Sequence, residues 1–330
     1  MENLDVKIPQ HEAGNIAANS FGGTELVTME LFRRLSDEYI NKFQFIISRL
    51  SKLEDDKPKL YWIHDLALDP SHAFLTEPNA LDIFEKLIFV SHWQQQQFNS
   101  LLNIPYQKSI VLKNAIVPIE RHIKKFDGKF NFIYASTPQR GLDVLLYALD
   151  MMERDDWHLD VYSSFKLYGW PENDKPFEKL FEKCENDPNI TYHGFKPYKE
   201  VREAYKKAHI LTYPSTWQET SCRVAMEAMS AGCAVVTSNW GALPETCGEF
   251  AYMYNYSEDK VQHAESFADT LENLMDDYES DDVKKNLDIQ IEYSHNNFSW
   301  EKRIDQWIYF LDNLIYEMEH GNNNDNEKDH

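Results

Sequence analysis

The most informative segment of the sequence is Pro214-Ser-Thr-Trp-Gln-Glu-Thr-Ser-Cys-Arg-Val-Ala-Met-Glu-Ala-Met-Ser-Ala-Gly232. It lies between two short apolar runs, residues 210–213 and 234–237, which are typical of buried strands. Between these runs, apolar residues recur at helical spacing, and Gly232 is well placed to end a helix before the second run. The pattern therefore predicts a strand, a turn, a helix and a second strand in succession.

We expect this helix to begin just after Glu219, with Thr220 or Ser221 as its N-cap residue. The free N–H groups and the positive dipole end of the helix then lie at the carboxyl edge of the sheet, where a phosphate group binds well. Glu219 and Glu227 stand on either side of this predicted anion site. A buried helix whose two glutamates face solvent explains the local pattern equally well.

The same alternation of apolar runs and helical patterns extends over most of the chain. The strand-like runs before a polar break are residues 43–47, 60–63, 87–90 and 109–112, and those after it are 130–135, 159–162, 190–192, 210–213 and 234–237. Near-continuous apolar strands between helices indicate two α/β units with parallel sheets, whose ligands bind beyond the carboxyl ends of the strands. The cleft between the two units is therefore the expected site.

These runs divide the chain into an N-terminal α/β unit at residues 1–118, a linker at 119–129 and a C-terminal α/β unit at 130–299. Residues 300–318 form a final helix with an apolar stripe that must be buried. This stripe consists of Trp300, Ile304, Trp307, Ile308, Leu311 and Ile315. The tail at 319–330 lacks apolar residues and is predicted to be disordered.

The composition argues against several classes of protein. The 330 residues include 33 Lys and Arg against 55 Asp and Glu, a net charge of -22, so we expect no nucleic-acid partner. The apolar runs are too short to cross a membrane, and the N-terminal residues lack a signal-peptide pattern, so we expect a cytoplasmic protein without integral membrane association. Four cysteines without a C-x-x-C pair, and acidic pairs typical of solvated loops, predict no metal site.

The order of the motifs resembles that of a known family. Pro214-Ser is followed by Glu219, seven residues, Glu227-Ala and later Gly241-Ala-Leu-Pro-Glu245. This order is similar to the donor half of the retaining nucleotide-sugar glycosyltransferases of the GT-B type, family four, which carry an E-x7-E motif. Shorter motifs extend the resemblance over most of the chain: Gly22-Gly23-Thr24-Glu25, Val90-Ser91, Asn114, His193-Gly194 and Phe298-Ser299-Trp300.

The resemblance implies a GT-B fold, in which two Rossmann-like domains with parallel sheets face each other across a cleft. In such enzymes the final helix crosses back to the N-terminal domain. The implied activity is transfer of a hexose from a UDP- or GDP-linked sugar to a glycan or other hydroxyl acceptor, with retention of configuration. The resemblance suggests front-face attack, in which the leaving diphosphate accepts the acceptor's proton. The nucleotide sugar is then a co-substrate, and neither a cofactor nor an obligatory metal is expected.

The resemblance also implies roles for the two glutamates and for a glycine pair. Glu227 would hold the ribose hydroxyls of the donor, and Glu219 would contact its sugar together with the N–H groups of the Thr220-Ser221 pair. Gly22-Gly23, just before a helical pattern, would abut the diphosphate or the sugar from the N-terminal domain, because backbone without side chains can approach a ligand closely. All of these residues are predicted to bind the donor.

Two further candidates lie elsewhere in the chain. His64 directly follows a strand-like run, and a histidine there can donate to a sugar hydroxyl or to a developing charge, with Asp65 orienting it. The family often has a histidine near this place, although a loop dipeptide that caps the following segment is the alternative. Glu245 lies near the donor or the acceptor in the family pattern, and a carboxylate at a helix N-terminus explains it equally well.

Arg140 lies between a predicted strand and a predicted helix, where its charge would neutralise the leaving diphosphate. Related enzymes usually carry Gly-Arg, four residues and Lys-Gly, and Arg140-Gly141 occupies the place of the Lys-Gly pair. Ala135 stands where the first arginine would be, and Arg223 is the candidate replacement unless its side chain points to solvent. The first strand of the family, expected at residues 4–8, is predicted to be short or absent.

Two alternative functions remain open. The missing arginine at Ala135 favours a non-catalytic subunit that binds a nucleotide sugar or acts as a scaffold. The two glutamates also suggest a glycoside hydrolase, but eight residues along a helix span ~12 Å, whereas such hydrolases need roughly 5–9.5 Å between their carboxyl groups. The spacing therefore fits two ends of one ligand better.

Overall fold

Two parallel β-sheets, one in each half of the chain, form the framework of the molecule. The computed structural model describes residues 22–50, 52–122 and 124–320. The first sheet has the order β1-β2-β3-β4 and consists of β1 (Gln44–Ile47), β2 (Lys59–Ile63), β3 (Lys86–Phe89) and β4 (Ser109–Val111). Its helices are α1 (Gly23–Arg34), α2 (Asp37–Lys42) and α3 (His92–Leu102). All strand pairs are parallel, so the carboxyl ends of the strands share one edge.

The second sheet has six strands in the order β10-β9-β8-β5-β6-β7. These strands are β5 (Phe130–Tyr134), β6 (Trp157–Val161), β7 (Ile190–Tyr192), β8 (Ile210–Tyr213), β9 (Ala234–Ser238) and β10 (Tyr252–Tyr254). The helices around them are α4 (Leu142–Met151), α5 (Glu178–Asn186), α6 (Tyr198–Lys207), α7 (Arg223–Ser230), α8 (Leu243–Cys247), α9 (Lys260–Asp277) and α10 (Asp281–Phe298). The strand β5 pairs with β6 on one side and with β8 on the other, so the chain changes direction across the sheet at β5. A crevice for ligands opens at the carboxyl ends of the strands at such a switch point.

Most of the strands are buried on both faces because helices cover both sides of each sheet, whereas β6 alternates between buried and half-buried residues. Every residue of β1, β8 and β9 is buried. Burial on both faces explains why these strands form continuous apolar runs in the sequence instead of alternating with polar residues. The prediction of two α/β units with parallel sheets is confirmed.

The last helix, α11 (Trp300–His320), packs against the first sheet and not against the second. Trp307 and Leu311 are completely buried in the core that covers this sheet. The Trp307 ring lies 4.9 Å from the Trp62 ring and 6.3 Å from that of Phe45, measured between centroids. The helix continues two residues beyond the predicted end at 318, so Glu319 and His320 are helical and not part of a tail.

The chain passes between the two units twice, and the two passages are hydrogen bonded to each other. The backbone N–H of Ile116 donates to the carbonyl of Phe298 (2.8 Å), and the N–H of Trp300 donates to the carbonyl of Ile116 (3.2 Å). We call this pair of passages the crossing ribbon. Beside it, the N–H of Ile119 donates to the hydroxyl of Ser230 in the second unit (3.0 Å).

Some segments differ from the expected pattern. Short 3-10 helices occur at Pro70–Thr76, Ala80–Ile83, Tyr106–Lys108, Pro138–Arg140, Phe165–Tyr168 and Pro171–Phe177. The edge strand β10 was not predicted from the sequence. The strand at 4–8, predicted to be short or absent, and residues 321–330 of the predicted disordered tail lie outside the described residues. Within the part of the chain that the structure describes, no helix is both long enough and apolar enough to cross a membrane.

Candidate functional site

The loop that follows β8 carries Glu219 to the carboxyl edge of the second sheet. The N–H of Ala242, in the loop after β9, donates to the carbonyl of Glu219 (2.7 Å), so the two loops are joined. Gly241 has φ = +68°, and a Cβ atom at this position would lie 2.6 Å from the backbone nitrogen of Glu219. Only glycine permits both this conformation and this close approach. The side chain of Glu219 is thereby fixed and almost fully buried.

The predicted start of α7 is wrong, because these two loops pair with each other. The helix begins at Arg223 with Cys222 as its N-cap residue, and Thr220 and Ser221 lie in the irregular segment before it. Because Glu219 pairs with the loop after β9, the helix cannot begin directly behind it. Thr220 does not cap the helix; its hydroxyl donates to the carbonyl of His64 across the cleft (2.7 Å). The two glutamates are therefore not on one helix, and the ~12 Å spacing based on helical rise does not apply.

Arg140 and Glu219 form a largely buried ion pair, in which the Arg140 side chain is 23% exposed and that of Glu219 is 6% exposed. Arg140 lies at the end of a 3-10 helix that leads into α4, and its Nη1 donates to Oε1 of Glu219. The hydroxyl of Tyr213 donates to the same oxygen (2.6 Å), and the ring of Trp217 lies 5.5 Å from the guanidinium carbon. Burial alone would lower the pKa of Arg140, but the nearby carboxylate of Glu219 raises it well above its ordinary value. Arg140 is therefore a permanent cation in the cleft.

A second buried ion pair joins Arg223 and Glu227, four residues apart on α7. Arg223 Nη2 donates to Glu227 Oε1 (2.7 Å), and the hydroxyl of Tyr198 donates to the same oxygen (2.7 Å). The Arg223 and Glu227 side chains are only 11% and 6% exposed. The sequence had left open whether Arg223 points to solvent, and the structure places it inside the site. Each glutamate of the E-x7-E pattern thus has its own arginine and its own tyrosine.

The glycine pair of the N-terminal unit faces this second ion pair. Gly22 is the N-cap residue of α1, and Gly23 is its first residue. A Cβ atom on Gly22 would collide with the ring of Tyr168, and one on Gly23 would lie 3.8 Å from Arg223 Cδ. Arg223 Nη1 also lies 3.5 Å from the carbonyl of Gly23. The backbone of the N-terminal unit therefore approaches the residues of α7 directly.

His64, at the carboxyl end of β2, is buried with a neutral ring. Its ring centroid lies 4.6 Å from that of Trp62. Burial lowers the pKa of His64 to about 3, so the imidazole is uncharged at neutral pH. The Asn114 side chain and the backbone of Trp62 lie near the ring, but neither ring nitrogen makes a hydrogen bond of good geometry among the residues that the structure describes. A buried imidazole with two free nitrogens is well suited to bind a hydroxyl group of a ligand.

The state of His64 leads to a prediction about acid stability. A folded pKa of about 3, against an ordinary value of 6.5, means that the unfolded chain binds the proton first as the pH falls. The contribution of His64 to stability is therefore complete above pH 6.5 and is lost progressively towards pH 3. We expect a loss of about 2 kcal/mol between pH 7 and pH 5 from this residue.

Urea unfolding of the wild type and of His64→Gln at both pH values measures this loss. The exposed His122 supplies the matched control, His122→Gln. An equal pH dependence in the wild type and in His64→Gln would show that His64 is not a buried neutral group.

Glu245 lies in the first turn of α8, but its carboxylate reaches the N-terminal unit. It accepts the backbone N–H groups of His92 (3.0 Å) and Trp93 (2.9 Å) at the start of α3, and Lys113 lies 2.8 Å away. Burial would raise the pKa of Glu245, but Lys113 and the two N–H groups lower it to about 2. The sequence predicts that Glu245 binds the donor, and that role stays a prediction. In the structure both of its oxygens contact the N-terminal unit.

Sequence reasoning missed the aromatic residues of the site. Tyr213 and Tyr198 donate to the two glutamates, Trp217 lies against Arg140, and Tyr168 lies against Gly22. Tyr213 is the last residue of β8, and a polar group at the carboxyl end of a parallel strand is a usable signal for a site residue. Of the other three, Trp217 lies in a loop, Tyr198 begins α6 and Tyr168 ends a short 3-10 helix, and no local pattern distinguishes them.

The chain has two α/β units with parallel sheets and a cleft between them. A glycine pair lies at one wall of this cleft, and a Glu-Arg pair lies at the other. This combination defines the GT-B class of glycosyltransferase. The family model of glycosyl transferases group 1 matches residues 119–289 of the chain. The chain therefore belongs to the glycosyl transferases group 1 family.

Curated relatives match part of the chain at low identity. The chain is similar to spore coat protein SA of Bacillus subtilis, 29% identical over 144 residues, which is 42% of this chain and 38% of that protein. It is also similar to D-inositol 3-phosphate glycosyltransferase of Corynebacterium efficiens, 28% identical over 188 residues, which is 56% of this chain and 41% of that protein. The chain thus spans less than half the length of these relatives.

Solved structures share the fold. HepE of Anabaena in complex with UDP-glucose superposes with a TM-score of 0.63 at 16% identity, covering 78% of this chain and 72% of that chain. A glycosyltransferase of Rickettsia africae superposes with a TM-score of 0.66 at 15% identity, covering 91% of this chain and 83% of that chain. The predicted GT-B architecture is confirmed by these likenesses.

Proposed function

We propose that this chain is a retaining hexosyltransferase that moves a hexose from a UDP- or GDP-linked sugar to a glycan or another hydroxyl acceptor. The observation that carries the proposal is the pair of buried ion pairs, Arg140 with Glu219 and Arg223 with Glu227, at the carboxyl edge of the second sheet. Two cations and two hydrogen-bond acceptors match in number and charge the two phosphates and the two sets of hydroxyl groups of a nucleoside diphosphate sugar. Gly22 and Gly23 form the opposite wall.

In this proposal the donor exchanges partners with the two ion pairs. The diphosphate takes over the guanidinium groups of Arg140 and Arg223, which already carry full positive charge and need no further desolvation. Glu219 and Glu227 are then free to accept hydrogen bonds from hydroxyl groups of the hexose and of the ribose. Arg223 supplies the second cation that related enzymes take from the position of Ala135 here.

The transfer step follows from the same arrangement. The acceptor hydroxyl attacks the anomeric carbon from the face that the diphosphate leaves, and the departing diphosphate oxygen takes the hydroxyl proton. The new glycosidic bond forms as the bond between the anomeric carbon and the diphosphate oxygen breaks, so no covalent enzyme intermediate is required. The two arginines neutralise the departing charge, and we propose that no metal ion is needed. His64 donates a neutral N–H to a hydroxyl group of the hexose.

Exposed aromatic rings around Arg140 support a sugar as the acceptor. Trp217 is 42% exposed and Trp170 is 51% exposed, and the Trp170 ring lies 5.3 Å from that of Tyr168. One face of a pyranose ring carries mostly C–H groups, which pack well on an aromatic ring. Rings of this kind beside the site of transfer suit a glycan better than a small polar alcohol.

The decisive experiment is an assay of the purified chain with radiolabelled UDP-, GDP- and ADP-sugars. Transfer of label to an oligosaccharide, or slow hydrolysis of one donor, supports the proposal. Tight binding of a nucleotide sugar without turnover supports the alternative of a non-catalytic binding or scaffold subunit, which the alanine at position 135 favours. Cleavage of an oligosaccharide without any nucleotide would identify a glycoside hydrolase instead.

The proposed role of Glu227 gives a prediction for donor affinity. A charge-assisted hydrogen bond to a ribose hydroxyl is worth ~1.5–3 kcal/mol, so Glu227→Ala is expected to raise the donor dissociation constant roughly tenfold to a hundredfold. Isothermal titration calorimetry with the preferred nucleotide sugar measures this change. A second titration uses the corresponding nucleoside, which has the ribose but no phosphates. This titration is needed because the mutation also frees Arg223 to bind the phosphates of the nucleotide sugar more tightly.

The control for this experiment is Glu249→Ala, at an exposed glutamate of the same unit. This variant is expected to bind the donor as the wild type does. A folded Glu227→Ala protein with unchanged affinity for both the nucleotide sugar and the nucleoside would remove Glu227 from the donor site.

A further inference from the structure

A cavity of about 770 Å³ lies outside the donor cleft, between β4 and α11. One wall is the edge strand β4, and the other is formed by the end of α10 and by α11, with Phe298 and Phe310 among the apolar residues that line the cavity. None of the four residues that form the two buried ion pairs of the cleft lines this cavity. Its volume falls within the range of roughly 300–1,000 Å³ that is usual for small-molecule sites.

Arg303 lines this cavity and is buried without a counter-charge. Only 6% of the residue is exposed. Its Nη2 donates to the carbonyl of Asn297 (2.8 Å), its Nη1 donates to the side-chain oxygen of Gln306, and its Nε has no partner among the described residues. Burial lowers the pKa of Arg303 to about 10, with no acidic group acting against it.

The contrast with the donor cleft is informative. Arg140 and Arg223 are each paired with a glutamate, as buried charges normally are. Arg303 has only neutral partners, although the chain carries 55 acidic residues against 33 basic ones. An unpaired buried guanidinium in so acidic a protein indicates that its counter-charge comes from a ligand.

Other cations surround the same cavity. Three lysines line the cavity together with Arg303, namely Lys302, Lys113 and Lys86. The acidic residues that line it are Asp305 and Glu317. Lys113 already pairs with Glu245, and Lys86 donates to the carbonyl of Gln107. Lys302 is exposed and makes no ion pair within the described part of the chain. It is free to bind a ligand that also reaches Arg303.

We propose that this cavity is a second ligand site that binds a small anion through a phosphate or carboxylate group. Arg303 is the buried anchor for the anionic group, and Lys302 adds a second cation from the neighbouring position of α11. The planar guanidinium carries five N–H donors, and the hydrogen bonds to Asn297 and Gln306 use two of them. The N–H of Nε and one N–H on each Nη remain for two parallel hydrogen bonds to one anionic group. Phe298 and Phe310 face the less polar part of the ligand.

Binding of two probes tests the proposal. Inorganic phosphate and citrate are titrated into the protein by calorimetry at constant ionic strength, and the better probe shows which anionic group is preferred. We expect saturable binding of at least one probe, weakened roughly tenfold or more in Lys302→Gln and in Arg303→Gln. The control variant Lys179→Gln, at an exposed lysine of α5, is expected to bind as the wild type does. Arg223→Gln is measured beside it and reports any binding of the probe in the donor cleft.

A crystal soaked with tungstate, a phosphate analogue, locates the bound anion by its anomalous signal. A peak beside Arg303 and Lys302 supports the proposal. The proposal is overturned if neither probe binds saturably, if all four variants bind like the wild type, or if only Arg223→Gln loses binding, which would place the anion in the donor cleft. Lys302→Gln changes an exposed side chain, so the test does not depend on the folding of Arg303→Gln.

Discussion

Replacing Arg140 with alanine is expected to lower kcat by about 10²–10³ while changing the donor dissociation constant much less. In the proposed transfer, the cation is needed most when the bond to the diphosphate breaks, because the negative charge on the leaving oxygen is then growing. Arg140 suits this proposed role because it is largely buried, permanently charged and held by Glu219. Single-turnover kinetics with the preferred nucleotide sugar measures the rate, and calorimetry measures the affinity.

The same substitution has a second effect, which must be separated from the first. Removing one partner of a buried ion pair leaves an uncompensated charge and destabilises a protein by roughly 3–5 kcal/mol. The double variant Arg140→Ala with Glu219→Gln removes that uncompensated charge and is expected to recover most of the stability but none of the turnover. Arg140→Lys keeps the charge and is expected to retain more activity than the single variant Arg140→Ala or the double variant. A raised KM with an unchanged kcat in Arg140→Ala would show instead that Arg140 binds the donor equally in the ground state and in the transition state.

Replacing Trp307 with alanine is expected to lower the free energy of unfolding by ~3–5 kcal/mol, since it empties a fully buried position between α11 and the first sheet. Truncation at Ser299 removes the whole helix, including Trp300, Leu311 and Leu314, and is expected to abolish soluble expression. Burial of each large apolar side chain contributes ~1.5–3 kcal/mol, and their sum is comparable to the total stability of ~5–15 kcal/mol of a typical protein.

Urea unfolding followed by circular dichroism measures the effect of Trp307→Ala. Tyr309 lies on the same helix and is 72% exposed, so Tyr309→Ala is the matched control and is expected to change stability by less than about 0.5 kcal/mol. A chain truncated at Ser299 that remains soluble with wild-type turnover would show that α11 is not required for the fold.

Much of the fold could be predicted because its strands are buried on both faces. The run predicted at 60–63 corresponds to β2 (Lys59–Ile63), and that at 234–237 to β9 (Ala234–Ser238). The strand β10 (Tyr252–Tyr254) escaped prediction because it is three residues long and lies at the edge of its sheet, where two of its residues are only half-buried. A short edge strand has no distinctive pattern of apolar residues.

The start of α7 shows what local reasoning cannot predict. The stretch after Glu219 has good N-cap residues, but the helix begins only at Arg223. The cause is a contact with Gly241, twenty-two positions further along the chain, which holds the backbone of Glu219 outside the helix. Tertiary contacts of this kind override local capping preferences.

The same limit applies to the partners of the two glutamates. Arg223 and Glu227 are four residues apart on a helix, a spacing at which side chains meet, so their ion pair was predictable in principle. Arg140 and Glu219 are 79 residues apart and meet only because β5 and β8 are neighbours in the sheet. The residue types of the site could be predicted from sequence motifs, whereas this pairing depends on the strand order.

The crossing ribbon has a mechanical consequence for the cleft. Because Ile116 is hydrogen bonded to both Phe298 and Trp300, the two connections between the units lie side by side and act as one pivot. If the units rotate about this pivot, atoms move in proportion to their distance from it, so backbone changes confined to the crossing ribbon would separate the walls of the cleft while each sheet stays rigid. A covalent cross-link placed in the ribbon is therefore expected to restrict such a rotation without altering any residue of the two ion pairs.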